Sequence, residues 1–96
     1  PTYTIVESYN FSIYTIHHLD LYRLCDPEEL EYLAVRDLLK KNYAALIEWP
    51  QKGAPILPKA DVALEFLYEG EGRTVVLNAF SDKGKSLIKK LMSIRK

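Results

Sequence analysis

The stretch Y-A-A-L-I-E-W-P at residues 43–50 is the most informative part of the sequence for the fold. Residues 43–47 are an apolar run without the alternation of a half-exposed strand. Such a run is typical of a strand that is covered on both faces in an α/β sheet. The run stops at Glu48, and Pro50 and Gly53 then indicate a loop. We therefore expect a sheet flanked by helices, with the 43–47 strand inside it.

The residues before this strand predict two further strands and a helix. Residues 2–9 and 13–22 are rich in β-branched and aromatic side chains, as strands are. Alternation along the second strand predicts one nearly all-apolar face and one face with ionisable groups, among them His18 and Asp20. A helix is expected over residues 26–42, because Asp26-Pro27-Glu28-Glu29 has a good N-cap, a proline at the first helical position and the glutamate of a capping box.

The last third of the sequence predicts a β-hairpin and a basic helix. Alternating residues at 62–68 and 74–80 flank the turn E-G-E-G at 69–72, and Ser81 can cap the helix that follows. Six lysine and arginine residues in residues 83–96 suit a solvated face, or alternatively a docking surface for RNA or a partner protein. The order β-β-α-β-β-β-α describes an α/β domain with a mixed sheet.

Length and composition restrict the class of protein. The 96 residues fit one domain, and 13 basic and 13 acidic residues give no net charge. A binder that relies on general attraction to nucleic acid would have a basic excess. The single cysteine cannot form an internal disulfide, which suits the reducing cytoplasm. No apolar run is long enough to span a membrane.

Two carboxylates and a tryptophan are the candidate site residues. Asp20 lies near the end of the second predicted strand and Glu48 at the end of the apolar strand, and ligands of open α/β sheets bind beyond the carboxyl ends of strands. An apolar strand ending in an acidic residue is also the Walker B pattern, whose carboxylate holds Mg²⁺ or polarises the attacking water in nucleotide hydrolases. Alternatively, Asp20 caps a loop or pairs with Arg23, and Glu48 is a solvent-facing strand end. Trp49 is either a core residue or a flat wall for a purine base.

Other kinds of site are disfavoured. His18-x-Asp20 is part of a two-histidine, one-carboxylate iron pattern, but His17 is the only other histidine and faces away on the same strand. Zinc lacks ligands for the same reason. Cys25 has no histidine placed beside it by sequence, and no G-x-S-x-G elbow is present.

Four stretches together resemble one protein family. They are P-T-Y-T-I-V at 1–6, H-L-D-L-Y-R-L at 18–24, D-P-E-E-L at 26–30 and L-I-E-W-P at 46–50. Their order and spacing resemble the TsaE (YjeE) family of small P-loop ATPases. The resemblance is close over about residues 1 to 60 and looser over the hairpin and last helix. It implies a P-loop NTPase-like mixed sheet flanked by helices.

The resemblance also implies a function and residue roles. TsaE proteins hydrolyse ATP to ADP with Mg²⁺ and support, with the partners TsaB and TsaD, the formation of N6-threonylcarbamoyladenosine (t6A37) on tRNA. By this resemblance, Thr2 belongs to a switch-like segment near the nucleotide. Asp20 lies near Mg²⁺ and the γ-phosphate, Glu48 is a Mg²⁺ or water-orienting group, and Trp49 lies near the bound nucleotide. Asp20 and Glu48 are thus both catalytic and metal-ligand candidates.

The sequence departs from the family at its start. In the family a strand, a G-x-x-G-x-G-K-[ST] loop and a helix precede the segment that matches residues 1–6. Here the only G-K pair is Gly84-Lys85, without a glycine-rich lead-in. Residues 1–96 are therefore expected to be the C-terminal two-thirds of one TsaE-like domain, incomplete, inactive alone and able to self-associate through an open sheet edge. The alternatives are a non-catalytic module that docks on TsaD-like partners or tRNA, and an unrelated α/β protein.

Overall fold

The computed structural model describes residues 5–32, 34–54 and 56–94 of a mixed α/β chain. Tertiary contacts divide it into two compact units, Pro1–Pro58 and Lys59–Lys96. The α/β class expected from the sequence is confirmed, and the assignment to one domain of a larger ATPase stays a prediction. The elements are β1 (Ile5–Asn10), β2 (Thr15–Asp20), α1 (Glu29–Tyr32), α2 (Val35–Leu38), β3 (Tyr43–Glu48), a 3₁₀ turn (Pro50–Lys52), β4 (Val62–Glu69), β5 (Gly72–Ala79) and α3 (Asp82–Ile94).

The first unit is built on a three-stranded mixed sheet in the order β1-β2-β3. β2 lies between β1, which is antiparallel to it, and β3, which is parallel to it. Along β2 the side chains of His17 and Leu19 are buried and those of His18 and Asp20 are half-buried. The alternation expected from the sequence is therefore confirmed.

The core of the first unit lies on one side of this sheet. It consists of five buried side chains, with five partly buried apolar residues packed against them. Val6 from β1 and Ile47 from β3 belong to the second group, so all three strands contribute to the same face. The buried side chains are Leu19, Leu21, Leu24, Leu30 and Val35.

The helix expected over residues 26–42 is present only in part. The predicted bond of the capping box is present, because Glu29 accepts a hydrogen bond from the backbone N–H of Asp26 at 2.9 Å, but α1 begins at Glu29 rather than at Pro27. Ala34 then has a left-handed backbone with φ of 54° and separates α1 from α2. Leu30 and Val35 are both buried. In a continuous helix, two side chains five positions apart point in directions that differ by about 140°. The break allows both side chains to reach the core, which a single helix would not.

β3 is less covered than its apolar sequence suggested. Ala45 and Ile47 are half-buried on the core side, whereas Leu46 on the other side is 58% exposed. The expectation of a strand covered on both faces is therefore wrong for this chain. The reason is that the core of the first unit packs on one face of the sheet only.

The second unit consists of the predicted hairpin and the predicted last helix. β4 and β5 pair along their whole length, from Val62↔Ala79 to Glu69↔Gly72, and Gly70 turns the chain with φ of 61°. The two strands form a sheet of their own rather than joining β1–β3, so the single mixed sheet expected from the sequence is corrected to two sheets. The pairing is local because the tight turn brings each residue opposite its partner.

The last helix begins as the sequence predicts and packs closely on the hairpin. The Ser81 side chain accepts a hydrogen bond from the backbone N–H of Gly84 at 2.9 Å and donates one to Asp61 at 2.6 Å. Gly84 is buried, and a Cβ atom added to it would clash with the backbone carbonyl of Asp61. The glycine is thus needed for the close approach of α3 to the start of β4.

We predict that Gly84→Ala destabilises the second unit. Alanine would add up to about 1 kcal/mol of helix propensity, but forcing apart backbone that cannot yield costs about 1–3 kcal/mol or more. The cost of the clash exceeds the gain in helix propensity, so the substitution is expected to lower the free energy of unfolding. Urea denaturation followed by circular dichroism measures the change. Gly72→Ala is the matched control, because a Cβ there would lie 3.6 Å from the nearest atom, an ordinary contact. Equal stability of the wild type and Gly84→Ala would contradict the packing described.

Candidate functional site

The two predicted carboxylates lie side by side at the ends of two parallel strands. Asp20 is the last residue of β2 and Glu48 the last of β3, and the two are register partners. Registered residues of neighbouring strands point to the same side of a sheet. That side is the one opposite the core, since Leu19 and Ile47 next to them pack inward. The structure therefore brings together the two carboxylates that the sequence could only name separately.

His18 links Glu48 to the far edge of the sheet. Its Nε2 lies 2.6 Å from Oε2 of Glu48, and its Nδ1 lies 3.6 Å from Oε1 of Glu7. Glu7 in β1 is the register partner of His18. The three side chains thus form a row across the three strands. They are partly accessible, with exposures of 53% for Glu7, 32% for His18 and 59% for Glu48.

The two glutamates favour the charged form of this histidine. The hydrogen bond to Glu48 is the main cause that raises the pKa of His18 above its ordinary value. Burial acts in the opposite direction, and the negative charge of Glu48 and the contact with Glu7 add to the increase in pKa. A protonated His18 makes its bond to Glu48 a charge-assisted one, the stronger kind.

Asp20 has a structural contact of its own. Its Oδ1 accepts a hydrogen bond from the backbone N–H of Tyr22 at 3.1 Å. Of the two alternatives weighed from the sequence, the loop cap is confirmed, and no ion pair with Arg23 is present among the described residues. Holding one oxygen of Asp20 fixes the carboxylate at the end of β2.

Trp49 is not a core residue. Its side chain is 46% exposed and packs against Tyr22, with ring centroids 5.1 Å apart and the planes tilted by 55°. The Nζ atom of Lys52 lies 5.5 Å from the centroid of the Tyr22 ring. Trp49 has a left-handed backbone with φ of 58°, an unusual conformation for a bulky residue. Exposed aromatic rings therefore adjoin the carboxylate pair in sequence, where a flat ligand could stack.

The fourth candidate from the sequence, Thr2, lies outside the described residues. The structure adds Glu7, His18, Tyr22 and Lys52 to the neighbourhood of the carboxylates and the tryptophan. Alternation along β2 placed His18 on the face of Asp20, but the pairing of His18 with Glu48 depends on strand register, which the sequence does not state. No sequence pattern identified Tyr22 or Lys52 as a neighbour of Trp49.

The residues present fit a magnesium ion that is shared with a phosphate group. Mg²⁺ usually takes one or two carboxylates and keeps water or phosphate oxygens as its other ligands. Oε1 of Glu48 makes no hydrogen bond or ion pair with residues 5–32, 34–54 or 56–94. No group of three or more His, Cys, Asp or Glu that could hold a metal occurs among those same residues. A site made by protein ligands alone is thus not what the described part of the chain offers.

A phosphate-binding loop is not formed by the one G-K pair. Gly84 and Lys85 lie inside α3, and Gly84 is buried against Asp61. Backbone N–H groups that hold phosphates must be open to the ligand. The described residues therefore offer a pair of carboxylates and exposed aromatic rings, and they do not offer a glycine-rich phosphate loop.

The fold and the site define a class of protein. A sheet with two parallel strands that end in carboxylates, beside exposed aromatic rings, is typical of an α/β protein that binds a ligand at the carboxyl edge of its sheet. The family model described as "Threonylcarbamoyl adenosine biosynthesis protein TsaE" matches residues 1–76. The chain belongs to the TsaE family.

Individual relatives agree with this assignment. The chain is 47% identical over 88 residues to the tRNA threonylcarbamoyladenosine biosynthesis protein TsaE of Haemophilus influenzae, which covers 92% of the chain and 56% of the relative. It is 40% identical over 80 residues to the TsaE protein of Borreliella burgdorferi, and this match covers 81% of the chain and 58% of the relative. It is 26% identical over 92 residues to the Bacillus subtilis TsaE protein, and this match covers 95% of the chain and 57% of the relative. The chain thus spans somewhat more than half the length of these relatives.

Within the described residues, no helix is both long enough and apolar enough to cross a membrane.

We predict that His18 titrates above 6.5 and that Glu48→Gln lowers its pKa more than Glu7→Gln does, because the hydrogen bond to Glu48 is the largest cause. Because the pKa of His18 is raised in the folded state, its contact with Glu48 stabilises the fold fully at pH values below the unfolded-state pKa of about 6.5. This stabilisation is lost as the pH rises through the folded-state pKa of His18. NMR titration of the imidazole measures the pKa. Glu65→Gln in the second unit is the control and leaves it unchanged. An identical titration in Glu48→Gln would contradict the 2.6 Å contact.

Proposed function

We propose that this chain is part of a TsaE-type ATPase that supports the synthesis of threonylcarbamoyladenosine in tRNA. The observation that supports this most strongly is the register pairing of Asp20 with Glu48 on the face of the sheet opposite the core. Family membership supports the same activity, since the relatives are named for this biosynthesis. The cofactors of the proposal are Mg²⁺ and ATP, with ADP as the product.

Asp20 and Glu48 would hold Mg²⁺ or the water around it. When bound, Mg²⁺ neutralises the negative charge that builds up on the phosphoryl oxygens during transfer. Oε2 of Glu48 is bonded to His18, and the side chain is 59% exposed, so Oε1 is left for a ligand. Asp20 keeps one oxygen bonded to the turn at Tyr22. Each carboxylate is therefore fixed by one oxygen, which leaves the other for the ligand or for orienting a water molecule.

Trp49 and Tyr22 would contact the nucleotide base. Their rings are exposed and tilted against each other, and aromatic faces stack on bases. Thr2 enters the proposal through the family resemblance alone, as part of the switch-like segment near the nucleotide.

The partners of the proposal are TsaB and TsaD, with tRNA contacted indirectly, and its compartment is the cytoplasm. These 96 residues would not hydrolyse ATP by themselves, because the described residues provide no glycine-rich phosphate loop.

The second unit favours one alternative, a non-catalytic module that docks on TsaD-like partners or tRNA. Phe66 is 67% and Tyr68 83% exposed on the hairpin, and Ile94 is 70% exposed on α3. Phe66 and Tyr68 are two positions apart in β4 and so lie on one face of the hairpin, and neighbouring exposed apolar side chains mark interaction sites where they form a large patch. Self-association of the chain is the other outcome that such a surface allows.

We predict that Mg²⁺-ATP changes the fluorescence of Trp49, the only tryptophan of the sequence, in the complete gene product that contains this chain. The change is expected because Trp49 is half-exposed beside Glu48 and would be covered by the base. The 96-residue chain alone is expected to show no saturable response up to millimolar nucleotide. A saturable response of the chain alone would contradict the need for a phosphate loop, and no response of the complete protein would count against the placement of the base.

We predict that Glu48→Gln and Asp20→Asn each lower ATP hydrolysis by the complete gene product, assayed with TsaB and TsaD, by about 10²–10⁴-fold, as expected for a group that orients or activates the attacking water. Steady-state phosphate release measures the rate. Asp37→Asn is the matched control, because this exposed carboxylate lies in α2, on the core side of the sheet and outside the hairpin. Hydrolysis at the wild-type rate in Glu48→Gln would remove the main support for the ATPase site.

A further inference from the structure

Glu48 is the last residue of β3, and little packing by the described residues restrains its side chain. It lies in β3, which pairs with β2 on one side, and 59% of its side chain is exposed. A glutamate in such a place has three rotatable side-chain bonds, and holding it in one conformation costs up to about 2 kcal/mol of side-chain entropy. A carboxylate that must meet a metal or a water in one geometry therefore needs a neighbour that holds it.

His18 is placed to be that neighbour. Its Nε2 is 2.6 Å from Oε2 of Glu48, a short hydrogen bond that is charge-assisted when His18 is protonated. The contact engages one oxygen of Glu48 and leaves Oε1, which makes no bond to the described residues. His18 thus restrains the carboxylate without engaging its second oxygen, Oε1.

His18 is itself held from the opposite side. Its Nδ1 lies 3.6 Å from Oε1 of Glu7, the residue paired with it in β1. At 3.6 Å this contact is an ion pair rather than a hydrogen bond, and it favours the ring orientation that directs Nε2 to Glu48. Because β1, β2 and β3 are hydrogen-bonded to one another, the row Glu7–His18–Glu48 is anchored on one rigid sheet.

The other histidine shows that this arrangement belongs to one face only. His17 is buried, and its Nδ1 lies 2.7 Å from Oγ of Ser8. It thus contributes to the core side of the sheet. His18 does not contribute to the core, and its polar contacts run to the two glutamates on the accessible face.

We propose that His18 is a positioning residue, with Glu7 as its second anchor, that holds one carboxylate oxygen of Glu48 so that the other stays directed at the ligand. The geometric part of this statement stands on the contacts alone. Its consequence for catalysis rests on the proposed function of Glu48.

The first test measures the conformation of Glu48 without nucleotide. Three-bond NMR couplings of the Glu48 side chain are expected to show one dominant rotamer in the wild type and averaged couplings in His18→Ala. His18→Gln, which keeps an N–H donor near the position of Nε2, is expected to restore the dominant rotamer. Lys40→Gln is the control, because it removes an exposed ion pair with Asp37 in and beside α2. Unchanged couplings in His18→Ala would overturn the proposal.

The second test measures ATP hydrolysis by the complete gene product. His18→Ala is expected to lower kcat about 10- to 100-fold, the usual effect of removing a group that orients a ligand, with a smaller change in KM for Mg²⁺-ATP. His18→Gln is expected to recover part of kcat, and Glu7→Gln to have a smaller effect than His18→Ala. Wild-type kcat in His18→Ala, together with a strong loss in Glu48→Gln, would overturn the positioning role and leave the proposed function standing.

Together, the two tests distinguish a failure of the proposed ATPase function from a failure of the positioning role of His18. If Glu48→Gln hydrolyses ATP normally, the proposed function fails, and the NMR couplings still decide whether His18 holds Glu48. If His18→Ala lowers kcat while the Glu48 couplings stay those of one rotamer, the loss has another cause and the positioning role is overturned.

Discussion

The parallel pairing of β2 with β3 is the constraint on which the site depends. Six residue pairs from Thr15↔Tyr43 to Asp20↔Glu48 set the register. A slip by one residue would turn every side chain of one strand to the other face. Leu19 is fully buried, and such a slip would replace it in the core by a charged neighbour. The core therefore fixes the register, and the register in turn places the two carboxylates beside each other.

The same strands serve two purposes because their faces are divided. His17 and Leu19 of β2 are buried on the core side, while His18 and Asp20 lie on the accessible face. The break at Ala34 serves the first purpose, since it allows both Leu30 and Val35 to pack on the core side. The carboxylates are thus held by a rigid sheet although the side chains themselves are accessible to solvent.

The parts of this structure that the sequence predicts well are those set by neighbours in the chain. The capping box of Asp26 and Glu29, the cap at Ser81 and the two faces of β2 depend on spacings of a few residues, and all three are present. The alternation even assigned His18 and Asp20 to one face. What a local pattern cannot state is the partner on another strand, so the bond between His18 and Glu48, 30 positions apart in the chain, was missed.

The errors have the same origin. The helix over residues 26–42 satisfied every local rule, and tertiary packing broke it at Ala34. The apolar run at residues 43–47 suggested cover on two faces, but hydrophobicity shows only that a strand can be buried and does not show what buries it. Leu46 is 58% exposed in this chain, because it points to the face opposite its two neighbours in β3 and, among the described residues, no core packs on that face.

The backbone at Trp49 is the remaining conflict between local preference and structure. A left-handed conformation at a bulky residue costs on the order of 1–3 kcal/mol. The buried half of the Trp49 side chain and its contact with Tyr22 contribute stabilisation of the same order. The stability of the first unit does not, however, explain why the other half of the ring is left exposed. A ligand that stacks on the exposed ring would account for it, which is consistent with the proposed contact between Trp49 and a nucleotide base directly after Glu48.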